Sequence, residues 1–245
     1  MATVAISTQA RERRYASEDG PSYRNHYLLN PNFHDREPGI YDEPCAFIVG
    51  VLNAGGVIHP HFHKVDQFQV VVAGDGTIGK HPLKPITVHY TDAYTPYGPI
   101  VAGPKGLHFF TIRMQTDFTG FHRMPEARHE MKGKAGRTAT CEAVAEPSST
   151  LYRKDAAIET LLAPSDDGVG AFLLRAGPEV EAAAPDPKGT GGQIHVVTGG
   201  SAIHKGQELP LWSCIHVSDN EGPLALRGGP SGLELLVLQF AQKRK

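Results

Sequence analysis

The sequence predicts an all-β chain in which one barrel unit is repeated in tandem, with few short helices. Three observations carry this expectation. Among 245 residues there are 27 glycines and 19 prolines, spaced between many short apolar runs, a turn-rich pattern that favours strands. The second half of the chain repeats the first. Finally, residues 55–74, GGVIHPHFHKVDQFQVVVAG, alternate in the manner of two strands flanking a short polar connection.

In chain order, residues 1–44 are polar with scattered aromatics (Tyr15, Tyr23, Tyr27, Phe33, Tyr41) and are expected to form an extended arm over the barrel, exchanged between subunits in one version. Residues 45–115 are expected to form the first barrel. Residues 116–150 read as an interdomain linker, whose basic stretch from Arg123 to Arg137 reads as a solvated turn or short helix. Residues 151–245 are expected to form the second barrel, with one short helix over residues 152–162, YRKDAAIETLL. The length suits two domains of about 100–120 residues.

Composition narrows the function classes. A formal net charge of −2 and a pI near 6.7 provide no basic footprint for nucleic acid. No apolar run approaches the roughly 18–20 residues of a membrane helix, and MATVAISTQARERR lacks the charged and apolar regions of a secretory signal. Cys45, Cys141 and Cys214 are odd in number and far apart, so they read as reduced thiols in a cytoplasmic protein and not as a disulfide framework. A homodimer is expected, because sheet edges need covering.

The repeat extends over three blocks. Ala54-Gly55 and Val57 resemble Ala176-Gly177 and Val180. Residues 68–80 align with 193–205 at an offset of 125, and residues 97–115 align with 221–240. At that offset Asp186, Lys188 and Gly192 stand opposite His61, His63 and Gln67, so the second barrel is expected to hold no metal. Its His195, His204 and His216 are then packing or surface residues.

In a strand, His61 and His63 share a face and their imidazoles converge, while Gln67 begins the next strand and the Gly-Asp-Gly at 74–76 reads as its hairpin turn. The block also resembles the first motif of the cupin superfamily, G-x5-H-x-H-x3-E-x6-G, with Gln67 where Glu is usual. The resemblance implies two tandem cupin-type double-stranded β-helix (jelly-roll) barrels and one divalent transition metal (Fe, Mn, Ni or Zn) in the N-terminal barrel, on His61, His63 and Gln67. The family's second motif, G-x5-P-x-G-x2-H, has two frames here. One places Phe109 in the histidine slot with His108 a residue early; the other, starting at Thr91-Asp92, places Val101 there. The second is preferred, since LHFFTIRMQ then matches the closing strand LELLVLQF. His81 and His59 are the candidates for the fourth ligand, and His89 also lies nearby. Phe68, Phe110, Tyr94 and Tyr97 are expected to wall the pocket, with Arg113 positioned to clamp a carboxylate.

The function expected from this resemblance is a metal-dependent enzyme acting on a small-molecule substrate, with dioxygenase-like oxidoreductase chemistry first. A lyase, isomerase or cyclase using the metal as a Lewis acid, with His59 or His81 as base, is the alternative. A non-catalytic ligand- or metal-sensing module is the third reading. Gln67 makes the ligand set neutral, leaving the metal its full charge for an anionic substrate.

Overall fold

The protein is described here from a computed structural model, which covers residues 2–11, 14–16, 22–29, 36–131, 133, 136–144 and 150–242. It divides into two compact units, residues 13–142 and residues 1–12 with 143–245. Each unit is built on one large antiparallel sheet, so the chain is almost wholly β, as expected.

In the first unit the sheet runs Thr138–Glu142, Thr87–Thr91, Gln67–Ile78, Ile100–Arg113, Cys45–Val51, Ser22–Leu28 and Arg14–Ala16. Val57–Ile58 pairs with Ile100–Arg113, and His81–Leu83 with Gln67–Ile78. The strand period of two divides the side chains. Phe68, Val70, Phe110 and Ile112 go to one buried layer, where Phe68 meets Tyr90 and Phe110 meets Tyr27 edge-on. Val71, Phe109 and Leu107 go to a second core with Ile78, Tyr97 and Ile100. The expectation that Phe68 and Phe110 wall the pocket is therefore corrected: Phe109 takes that face.

Gly74–Gly76 is not the hairpin turn. Gln67–Ile78 continues for twelve residues, and the reversal comes after Ile78, which pairs with His81. The glycines serve a close crossing instead. Gly74 has φ +78, and a Cβ there would lie 2.1 Å from the Gly106 carbonyl oxygen of the closing strand. The register shifts between Ala102 and Leu107 at the same place.

The second unit repeats this device. Its sheet runs Thr3–Ala5, Cys214–Val217, Gln193–His204, Ala225–Gln239, Gly170–Ala176 and Ala156–Leu162. Gly200, with φ +63, would place a Cβ 2.0 Å from the Gly232 carbonyl oxygen. Leu107 pairs with Gly74 and Leu233 with Gly200, so the true offset between the units is 126 and not 125. One residue changes every equivalence: Pro187, Gly189 and Gln193 correspond to His61, His63 and Gln67. The sequence alignment misses this because both Gly199 and Gly200 can match Gly74.

Two other boundaries differ from the sequence reading. The expected linker is mostly folded into the first unit: Thr116–Asp117 pairs with Ile40–Tyr41, His122–Arg123 with His61–Phe62, and Thr138–Glu142 with Thr87–Thr91. Glu126–Met131 forms a 3-10 helix between them, while residues 145–149 lie outside the described ones. The expected arm also forms strands, Thr3–Ala5 in the second unit and Ser22–Leu28 in the first; Phe33 lies outside the described residues. The expected helix over 152–162 is a strand, Ala156–Leu162, because pairing with Gly170–Ala176 satisfies its backbone at the sheet edge. Cys45, Cys141 and Cys214 are unpaired thiols. Among the described residues no helix is long and apolar enough to cross a membrane.

Gly74→Ala is expected to cost about 2 kcal/mol or more, from left-handed strain together with the clash against Gly106. Urea unfolding checks this, and a midpoint equal to that of the parent protein would show that the crossing is not tight. Buried histidines, His89 and His195 among them, also make stability pH-dependent. Burial, reinforced by the charge of His81, holds His89 down to about 4; burial and the charges of His216 and His204 hold His195 down to about 3. The unfolded chain takes up these protons near pH 6.5, so it binds more protons than the folded chain below that value. Stability should be level above pH 7 and fall as the pH drops from about 6.5 to about 4. The urea midpoint measured across this range should show the decline, and His195→Gln should make it shallower.

Candidate active site

The site is assembled where the short strand His61–Phe62 meets two loops. His61 and Tyr97 exchange backbone hydrogen bonds, the Tyr94 amide donates to the His63 carbonyl, and His122–Arg123 pairs along the other edge. The sequence turns here because Pro60 and the polar Lys64-Val65-Asp66 bound the strand, and the Asp66 carboxylate accepts from the Ala93 amide.

His61 and His63 converge as the alternation predicts, their ring centroids 5.1 Å apart and nearly perpendicular. His61 is fixed through Nδ1, and His63 turns its Nδ1 towards a carboxylate. His61 Nδ1 donates to the His59 carbonyl at 2.7 Å, and His63 Nδ1 lies 3.5 Å from Asp117 Oδ2. This leaves Nε2 as the lone-pair nitrogen of His61, and the ionised Asp117 beside His63 Nδ1 favours the same tautomer there. Tyr97 Oη donates to His61 Nε2 at 2.8 Å. Burial lowers His61 to about 4 and His63 to about 3, and the Arg113 guanidinium pushes in the same direction, so both rings are neutral at physiological pH. Burial pushes the Tyr97 phenol up to about 12, against the influence of Arg113 and the Gln67 amide.

Asp117 is a participant that sequence reading missed, since it sat in the supposed linker. Its burial works against ionisation, yet hydrogen bonds from His63, Thr119 and the Lys64 amide hold the carboxyl well below the usual range. Thr119 donates both its amide and its hydroxyl to Oδ1, at 2.8 and 2.6 Å. The signal available in sequence was the Asp-x-Thr of residues 117–119, a local turn pattern.

Gln67 is turned away from a ligand's task. Its Oε1 accepts from Arg113 Nε and Nη2 at 3.1 and 3.0 Å. The equivalent pair in the second unit is Gln193 Nε2 donating to Gln239 Oε1 at 2.9 Å. The amide at this position is therefore part of a cross-strand contact that both units use.

The other predicted residues disperse. His81 is exposed at the far end of the long strand, because that strand does not turn at Gly74. His59 offers its carbonyl to His61 and lines an outer cavity of about 440 Å³ with Arg24, Arg123 and Phe121. His89 is tied to Thr140 and Thr91 through its two nitrogens. His108 pairs with the Tyr23 hydroxyl on the opposite side of its strand from Phe109.

An inner cavity of about 360 Å³ contains His61, His63, Tyr97 and Arg113, with Phe47, Phe109 and Phe121 among its walls. Phe121 lies over both imidazoles, 4.6 Å from the His61 ring and 5.4 Å from the His63 ring. Among the described residues no cluster of three or more His, Cys, Asp or Glu could hold a metal. The donor set nonetheless fits a transition metal through two neutral, pre-oriented imidazoles, and the Tyr97 hydroxyl is the next donor beside them. The chemistry available is binding of a metal or polar group at the two Nε2 atoms and of an anion at Arg113.

No protein-family profile and no curated protein sequence matches the chain. Solved structures do resemble it. A candidate dioxygenase from Nostoc punctiforme is 11% identical, with a TM-score of 0.61 over 100% of this chain and 84% of its own. The bacterial pirin YhhW from Escherichia coli, in complex with nickel(II), is 13% identical, with a TM-score of 0.58 over 99% of this chain and 100% of its own. Oxalate decarboxylase of Bacillus subtilis is 11% identical, with a TM-score of 0.62 over 99% of this chain and 77% of its own. Identities this low speak to fold alone. The two sheets, their repeated glycine crossings and these likenesses agree that the chain has a cupin-type β fold in tandem.

Proposed function

We propose that the first barrel is the active site of a metal-dependent cupin-type enzyme acting on a small organic molecule, with dioxygenase-like chemistry as the leading reaction type. The observation that supports it is the His61–His63 pair: two neutral imidazoles, His61 held through Nδ1 by the His59 carbonyl and His63 with Asp117 3.5 Å from its Nδ1, facing a largely apolar cavity. The nickel(II) complex of YhhW, a fold relative, is in keeping with such a site. His61 and His63 would hold the metal through Nε2, the metal taking the place of the Tyr97 hydrogen bond at His61, with the Tyr97 hydroxyl as the next donor beside it. A divalent metal bound there supplies Lewis acidity and, if redox-active, electrons for dioxygen.

The chain's own residues set the remainder. Asp117 places a negative charge 3.5 Å from His63 Nδ1, and the Phe121 ring covers one side of both imidazoles. Tyr97 holds its proton at Oη up to about pH 12 and shares it with His61 Nε2. That contact favours a second reading, lyase or isomerase chemistry in which the Tyr97 hydroxyl is the proton donor. A homodimer and a cytoplasmic location accompany the proposal as expectations.

Protein purified without added metal should contain about one transition metal per chain by elemental analysis, and His61→Ala/His63→Ala should contain none. Equal metal content in the double variant would overturn the assignment. Asp117→Asn should weaken metal affinity about 10–100-fold in a chelator competition. Oxygen uptake with catechols, β-diketones and flavonol-like enols separates the two reaction types, because only the dioxygenase reading requires it.

A further inference from the structure

Arg113 is a permanent cation that is only 4% exposed, and among the described residues it has no carboxylate partner. The chain does not treat its other shielded guanidinium this way: Arg175 is paired with Glu234 and Glu159, each at 2.9 Å. A buried charge without a counter-charge is costly, and a charged partner is the usual remedy. Asp117, a carboxylate that lines the same cavity, is already engaged by Thr119 and the Lys64 amide, with His63 Nδ1 3.5 Å away.

The fold does not require this charge. In the second unit the equivalent position is Gln239, and a neutral Gln193–Gln239 hydrogen bond makes the same cross-strand contact. The positive charge of Arg113 is therefore additional to what the sheet needs, and it stands where the cavity is. Gln67 occupies Nε and Nη2, while Nη1 has no hydrogen bond among the described residues.

The surroundings say what kind of anion fits. Arg24 also lines the cavity without a carboxylate partner among the described residues, and Arg24 and Arg113 lie 5.7 and 6.0 Å from the Phe47 ring centre. Arg36 at the same cavity is already neutralised by Glu43 at 3.1 Å. Phe109, Phe121, Ile58 and Ile100 supply apolar wall. The volume of about 360 Å³ has room for roughly a dozen water-sized groups. A cationic end and an apolar body of that size match an organic monocarboxylate and do not match a sugar, a polyphosphate or an uncharged polyol.

Resting on the reading of this cavity as the reaction chamber, we infer that its substrate is a small organic carboxylate, anchored by Arg113 with Arg24 as second cation and bearing an apolar, chain-like or aromatic body. Arg113 is then the specificity-determining residue: it selects the acid over its neutral analogue.

Calorimetric titration of the full chain tests this with three acids, benzoate, phenylacetate and hexanoate, each against its own amide, and with inorganic phosphate. At least one acid should bind ten-fold or more tighter than its amide, and tighter than phosphate. Arg113→Gln should abolish that preference, Arg113→Lys should keep part of it, and Arg36→Gln should keep all of it. No acid preferred over its amide, phosphate bound as tightly, or an undiminished preference in Arg113→Gln would each overturn the inference. The acid–amide comparison on the unmodified chain stands even if a variant does not fold. Titrations in EDTA separate this inference from the metal proposal: acid preference without metal supports the former when the latter fails, and metal content unaffected by Arg113→Gln supports the latter when the former fails.

Discussion

The pairing of Gln67–Ile78 with Ile100–Arg113 sets nearly everything else in the first unit. Gly74 and Gly106 bring two backbones so close that a side chain on Gly74 would meet a carbonyl oxygen, and this permits one register. With that register fixed, Phe109, Thr111 and Arg113 face the cavity, and Phe110 and Ile112 face the opposite layer. Arg113 reaches Gln67 only because both stand on the same face near the strand ends. A slip of one residue would send the guanidinium into the apolar layer that holds Phe68 and Tyr90.

That geometry also controls the electrostatics. Arg113 adds positive potential beside two imidazoles already disfavoured as cations by burial, so His61 and His63 remain neutral. Asp117 remains ionised although buried, because three donors converge on it. The result is a cavity with neutral nitrogen donors, a locked carboxylate and surplus positive charge. Such a field attracts anions, and it makes any metal held there depend on the basicity of its imidazoles and not on a carboxylate ligand. The second unit keeps the glycine crossing and the amide pair but has Pro187 and Gly189 at the histidine positions, so the same scaffold exists there without the donors.

Much of the fold was legible in the chain itself. Strand alternation in GGVIHPHFHKVDQFQVVVAG placed His61 and His63 on one face, and the internal repeat announced two units. As letters, adjacent Gly199 and Gly200 align equally well with Gly74, so an offset of 125 fits as well as 126, while only Gly200 has the left-handed φ and the 2.0 Å approach. The local spacing at Ala156–Leu162 permits a helix, and only its neighbour Gly170–Ala176 selects the strand. Nothing local marks Asp117 and Phe121, because His122–Arg123 pairing with His61–Phe62, a contact between segments about sixty positions apart, is what brings them beside the imidazoles.

The sequence by itself determined the class of fold, the duplication and the two converging imidazoles, since all three follow from local periodicity and spacing. Tertiary structure alone decided that Gln67 is held by Arg113, that His81 is remote, and that Tyr97, Asp117 and Phe121 stand beside the two imidazoles. Those outcomes depend on which strands meet and in what register, and register is set by backbone approach over long separations that no local pattern records.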